Sequence, residues 1–115
     1  MFTDLRVLDL SSGIAGPYAT KLLADAGADV VKVEGAAGDP LRRWSATGAD
    51  LGGEDGALFR YLNTSKRSVV GAWDDADVVD LPRGADLLIE DHAPGVVGVD
   101  ALHAANPALV VVSIS

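Results

Sequence analysis

Three clusters of residues in this chain of 115 amino acids have the types and spacing to do chemistry. The first is Ser11–Pro17, SSGIAGP, which follows an apolar run and precedes a helix-like one. Gly13 and Gly16 allow close backbone approach, and a helix N-terminus behind them would aim N–H groups and a partial positive charge at an anion. The spacing G-I-A-G-P is not GxGxxG, so a tight strand-to-helix turn without a ligand is an equal reading. The second is Glu34, which ends the next apolar run about 20 residues after the loop, where a dinucleotide-binding fold puts its ribose-binding carboxylate. An acid that merely closes a strand is the simpler alternative. The third is Asp91–His92, again directly after an apolar run. An imidazole with a pKa near 6.5 serves as a base or a donor. With no serine or cysteine nucleophile beside it in a fixed motif, His92 is expected to bind or turn, and no catalytic residue is assigned.

Other polar residues read more plainly. Lys66 and Arg67 either hold phosphate or pair with internal carboxylates, and as neighbours on a strand they face opposite sides and do not form one clamp. His103 reads as a helix residue. Two isolated histidines without HxxxH spacing, in a chain with no cysteine, make a poor metal site, so none is expected.

The elements that must position these groups are legible from periodicity. Leu5–Leu10 is apolar at nearly every position and reads as a central strand covered on both faces. Pro17 suits a first helical turn and Gly27 a helix stop, with Tyr18, Leu22, Leu23 and Ala26 as the apolar face between them. Val30, Val31 and Val33 form strand two. Gly35–Gly56 is a long glycine-rich excursion, of a length that is commonly functional, disordered or covered by a partner, with Leu41 and Trp44 as its apolar anchors. Ala57, Leu58, Tyr61 and Leu62 mark a short helix, and NTSKRSVVGA leads into a brief strand. A second short helix over Asp74–Leu81 stops at Pro82 and Gly84. Then ADLLIED reads as strand four, Val96–Ala105 as a helix and PALVVVSIS as strand five. Alternating strands and helices imply an α/β, Rossmann-like three-layer domain with a mostly parallel sheet of about five strands. Val110, Val111, Val112 and Ile114 are too apolar for a free edge, so the sequence is expected either to be cut from a longer protein or to have this end covered by a partner.

Composition narrows the function. The chain is 49% apolar, which suffices for the core of one domain spanning residues 1–115. A net charge of −8 argues against a general nucleic-acid or anionic-membrane binder. No apolar run approaches the roughly 20 residues that span a bilayer. Without cysteines or a visible signal peptide, a soluble, cytoplasmic protein is expected.

Four segments taken together closely resemble the N-terminal region of the family III CoA-transferases, of the formyl-CoA transferase, carnitine-CoA transferase and α-methylacyl-CoA racemase type. They are LRVLDLSSGIAGPYATKLLADAGADVVKVEGAAGDPLRRW, YLNTSKRSV, ADLLIEDHAPGV and NPALVVVSIS, in the family's order across essentially the whole chain. The resemblance implies coenzyme A or an acyl-CoA as substrate, with a carboxylic acid as the other partner, in a homodimer of interlinked subunits. It implies CoA along the carboxyl edge of the sheet, contacted by the loop at Gly13, Ile14 and Ala15. Further contacts fall at Gly71, Ala72 and Trp73 and at Asp91, His92 and Ala93, within a segment that matches the family's Glu-Asn-Phe-x-Pro-Gly. The family's nucleophilic aspartate, which takes the acyl group as a mixed anhydride, lies beyond the strand matching Ala108–Ser115, so these residues alone are expected to be inactive. Three family cations are replaced, by Gly35, Asp74 and Val99, which weakens the expected hold on phosphate. A diverged member or the less active half of a tandem protein is therefore expected. A non-catalytic CoA-binding or dimerisation scaffold and an NAD-type domain using Glu34 are the rival readings.

Overall fold

The structure, a computed structural model, describes residues 2–71 and 80–114. Five strands, β1 (Arg6–Leu10), β2 (Asp29–Glu34), β3 (Arg67–Val70), β4 (Leu87–Glu90) and β5 (Val110–Ser113), alternate with helices α1 (Ala15–Asp25), α2 (Ala57–Asn63) and α3 (Val99–Ala105). Every neighbouring pair is parallel, in the order β3-β2-β1-β4-β5. The anticipated parallel α/β sheet of five strands is therefore present, with β1 at its centre. Because chain order reverses at β1, the carboxyl ends of β1 and β4 flank a topological switch point, where open α/β sheets bind ligands.

The two sheet faces follow from the period-2 alternation of side chains. Val7 and Val30 face α1 and pack with Ala24 and Ala28. Leu8, Leu10 and Leu88 face the other way and pack with Val97, Leu102 and Leu109 around α3. At the sheet's edge β5 leaves Val110 56% and Val112 41% exposed, the apolar edge that the sequence announced.

Helix α1 differs from its sequence reading. It begins at Ala15, which puts Pro17 in the first turn as expected, but its buried residues are Gly16, Pro17, Thr20 and Ala24, while Tyr18 and Leu22 face outward. The reason is close approach: a Cβ on Gly16 would lie 2.1 Å from Ser11 Oγ and 2.3 Å from Ser11 Cβ. Only small side chains fit between α1 and the end of β1, so the bulky ones turn away. Gly27 does stop the helix. With φ at +104° it closes a Schellman motif, in which Ala28 N–H donates to Leu23 O and Gly27 N–H to Ala24 O, each at 3.0 Å. In α2 the buried pair is Phe59 and Leu62, and Tyr61 is exposed. Pro82 and Gly84 lie within a 3₁₀ turn, Leu81–Gly84, and the proposed helix upstream falls mostly on residues outside those described.

The Gly35–Gly56 excursion is held by charge. Trp44 is 49% exposed and Leu41 only half-buried, so neither is the anchor expected of it. Instead Arg42, in a 3₁₀ turn at Pro40–Arg43, donates Nε and Nη2 to the two oxygens of Glu34 at 2.8 and 2.7 Å, and Nη1 to Asp55 at 2.7 Å. Its guanidinium stacks on Phe59, 4.2 Å from the ring centre. Burial alone would raise the Glu34 pKa, but Arg42, the Asp39 N–H and Ser68 outweigh it and lower it to about 2.

Two outcomes follow. Gly16→Ala should destabilise the protein by about 1–3 kcal/mol through overpacking against Ser11. Gly35→Ala, whose Cβ would meet nothing within 4 Å, should be nearly neutral in the same denaturant titration. The depressed Glu34 pKa means that its contribution is fully present above pH 4.5 and is lost as pH falls towards 2. Unfolding free energies measured across that range should therefore fall less steeply in Arg42→Met than in the unaltered protein.

Candidate ligand-binding cleft at the carboxyl edge

The cleft is built over a buried carboxylate. Asp9, fully buried in β1, accepts from Ser11 N–H at 2.9 Å, the Ser11 hydroxyl, the Thr20 hydroxyl at 2.6 Å and Lys66 Nζ at 3.1 Å. Burial pushes its pKa up, but Lys32, Lys66 and the two hydroxyls more than reverse this, so it is ionised. Lys66 completes its three donor positions with Pro17 O at 3.0 Å and Asn63 Oδ1 at 2.7 Å. It thereby clamps α1 and α2 to the centre of the sheet. Arg67 turns to the surface and pairs with Asp29 at 2.7 Å, so the adjacent cations serve separate structural ion pairs, as their strand geometry implied.

Above Asp9, the β1–α1 loop crosses the sheet edge. Gly13 takes the left-handed region at φ +79°, which turns the chain into α1. No side chain caps this helix, and the first helical N–H to find a partner is that of Tyr18, bonded to Ile14 O at 2.8 Å. The Ala15 and Gly16 N–H groups therefore have no intrahelical acceptor. The loop is tied sideways to the loop after β4, where Asp91 accepts from Ser12 N–H at 3.1 Å. Glu90 in turn accepts from His92 N–H and from the Ser113 hydroxyl, each at 2.7 Å.

Between these loops and Asp39–Pro40 lies a cleft of about 320 Å³, to which Ser12, Lys32, Gly71 and His92 contribute. An adjoining, mostly apolar hollow of about 210 Å³ lies between Ser12–Gly13 and Pro40–Trp44. The structure thus brings Gly13, Gly71 and His92 to one rim, with Ile14, Ala15 and Ala93 exposed beside it and Asp91 half-buried in the hydrogen bond to the loop. Ala72 and Trp73 lie outside the described residues. Glu34 cannot act as a ribose acceptor. Arg42 Nη2 and Ser68 Oγ take one of its oxygens and Arg42 Nε and Asp39 N–H the other, which fills its four acceptor positions.

Sequence reasoning missed Asp9, Lys32, Asp39 and Arg42. The available signal was a charge inside an otherwise apolar strand, in LRVLDL and in DVVKVE, where a parallel sheet buries both faces. Lys32 is 2% exposed, and its ammonium donates to Ser11 O at 2.8 Å and lies 3.1 Å from Asp39 Oδ2. All nine Lys and Arg residues are described, and eight of them lie within 4 Å of a carboxylate. The ninth, Arg6, stands at the opposite end of β1. The rim thus offers main-chain donors, and its cations are already paired. His103 sits in α3 with Nε2 3.0 Å from Leu109 O. Among the described residues no group of three or more His, Asp or Glu is placed to hold a metal ion, and no helix is long and apolar enough to cross a membrane.

This architecture has close counterparts. Over 99% of the chain it superposes on a CAIB/BAIF family protein from Brucella suis with a TM-score of 0.88 and 34% identity, covering 33% of that chain. It is 41% identical over 96% of its length to a succinyl-CoA:mesaconate CoA-transferase of Haloarcula hispanica, and 34% identical over 98% to an acyl-CoA transferase of Fusarium pseudograminearum. The chain spans 31% and 28% of those two relatives. The sequence profile of CoA-transferase family III matches residues 2–115. With that profile spanning residues 2–115 and relatives 34–41% identical over 96–98% of its length, the chain belongs to CoA-transferase family III.

Proposed function

We propose that this chain is the N-terminal, CoA-binding portion of an enzyme that moves CoA from an acyl-CoA to a carboxylic acid. The observation that carries this reading is the rim at the switch point, where the turn through Gly13 leads into α1 with the Ala15 and Gly16 N–H groups lacking an intrahelical acceptor, beside a cleft reached by Gly71 and His92. In such a transfer a carboxylate attacks the thioester carbonyl, the C–S bond breaks, CoA leaves as its thiolate and a mixed anhydride remains. The thiolate then attacks the aspartyl carbonyl of the anhydride, releasing the donor acid and leaving an aspartyl-CoA thioester. The acceptor carboxylate displaces CoA from this thioester to form a second mixed anhydride, and the freed thiolate attacks the acceptor's carbonyl, which yields the new acyl-CoA and restores the aspartate. The attacking aspartate is assigned to sequence beyond these residues, as the family resemblance implies. The part played by residues 1–115 is to bind and orient CoA, through Gly13, Ile14, Ala15, Gly71, Ala72, Trp73, Asp91, His92 and Ala93. The reading includes a homodimer in the cytoplasm, the dimer being what the family resemblance implies, and the charge of −8 on these residues speaks against nucleic-acid and anionic-membrane partners.

The paired state of its cations favours one other reading, a scaffold half that no longer grips CoA. Isothermal titration separates the two. A dissociation constant below about 1 mM, or roughly 4 kcal/mol of binding, supports CoA binding, and a weaker one supports the scaffold. Restoring a cation where the family often has one should help: Gly35 lines the cleft and has open space at its Cβ position. Gly35→Arg is expected to tighten CoA binding about fivefold, the value of roughly 1 kcal/mol of exposed ion pairing, and to steepen its salt dependence.

A further inference from the structure

We infer that Lys32 is a positioning residue whose buried ammonium latches together the two loops that form the lips of the cleft. The inference rests on the CoA-binding reading above and identifies what holds that site in shape. One lip is the β1–α1 loop, Ser11–Gly13, and the other is the turn at Asp39–Leu41. The cleft and the apolar hollow beside it are each bounded by residues of both lips.

Lys32 touches one lip at Ser11 O and the other at Asp39 Oδ2, at 2.8 and 3.1 Å. Among the described residues no other hydrogen bond or ion pair joins Ser11–Gly16 to Gly35–Trp44. Asp39 Oδ2 is buried and accepts no hydrogen bond, and among the described residues the Lys32 ammonium, 3.1 Å away, is the one cation paired with it. The other oxygen of Asp39 caps the 3₁₀ turn by accepting from Leu41 N–H at 2.9 Å, so the position of this carboxylate is transmitted to the whole second lip.

What turns Lys32 towards the rim is the crowding of its neighbour. In register Lys32 lies opposite Asp9 on β1, the obvious partner for a buried lysine. The four acceptor positions of Asp9 are already filled by Ser11, Thr20 and Lys66. The Lys32 side chain, fixed at its base by pairing with both β1 and β3, is left to reach the loops. A latch anchored in the middle of the sheet sets the gap between the lips more firmly than contacts at the exposed loop tips.

The test uses the protein expressed from its natural gene, unaltered and as Lys32→Met and Lys32→Met/Asp39→Asn. The double variant removes both charges while its amide oxygen still caps the turn, so it keeps the test valid should the single variant fail to fold around a lone buried carboxylate. Isothermal titration with CoA and backbone hydrogen exchange are measured on each. The latch predicts that the folded double variant loses CoA affinity by roughly tenfold or more. It also predicts faster exchange at residues 11–16 and 38–44, with β4 and α3 unchanged. A double variant that binds CoA as tightly as the unaltered protein, or whose exchange rises evenly over the sheet, overturns it. If the unaltered protein does not bind CoA, the proposed function fails instead, and exchange at the two lips alone decides for or against the latch.

Discussion

Asp9 is a carboxylate with no access to solvent, in the middle of the central strand, and the rest of the fold is arranged to keep it charged. Taking an ion out of water costs several kcal/mol, which is recovered only when every lone pair has a donor in good geometry. Meeting that condition requires the β1–α1 loop to fold back so that Ser11 donates twice. It requires Thr20 to face the sheet from α1 and Lys66 to arrive from the start of β3. One buried charge thus fixes the rotation of α1, the closeness of its first turn and the placement of the connection between α2 and β3.

The same logic repeats along β2. Its side chains alternate between the two sheet faces, so Val30, Lys32 and Glu34 fall on the α1 side together. Val30 joins the apolar core there, Lys32 ties Ser11 to Asp39, and Glu34 holds Arg42. Moving outward along one strand, the contacts change from hydrophobic to ionic as the ligand edge is approached. A site built this way has well-defined loops without bulky apolar side chains filling the space a ligand needs. It also has a consequence for recognition, because cations engaged in holding the loops are not available to a phosphate. On the proposed CoA-binding reading, the ligand is left the main chain of the glycine-bearing turn and the partial positive end of α1.

Much of this was legible in the residues themselves. Apolar runs at Leu5–Leu10, Val30–Val33 and Leu87–Ile89, separated by helical spacing and glycine turns, suffice for a parallel α/β sheet. Buried parallel strands need continuous hydrophobicity, and their crossovers have one allowed hand. Gly27 as a helix stop and the rim location of Gly13 and His92 followed from equally local chemistry. The helix faces did not. Tyr18 and Leu22 have the right period to be buried, yet they point outward, because the gap beside Ser11 admits only Gly16 and its small neighbours, and on α2 Phe59 and Leu62 take the buried face while Tyr61 is exposed.

Sequence alone, then, determined the class of fold, the order of its main strands and helices and the sheet edge that carries Gly13 and His92, since hydrophobic period and turn residues act over a few positions. Tertiary structure decided which charges are spent on the fold. Glu34 resembles a ribose ligand in sequence and is closed by an arginine eight positions away, while Asp9 meets a lysine 57 positions away. Such pairings depend on where chain segments meet in space, and the short-range pattern of residue types carries no record of that distance.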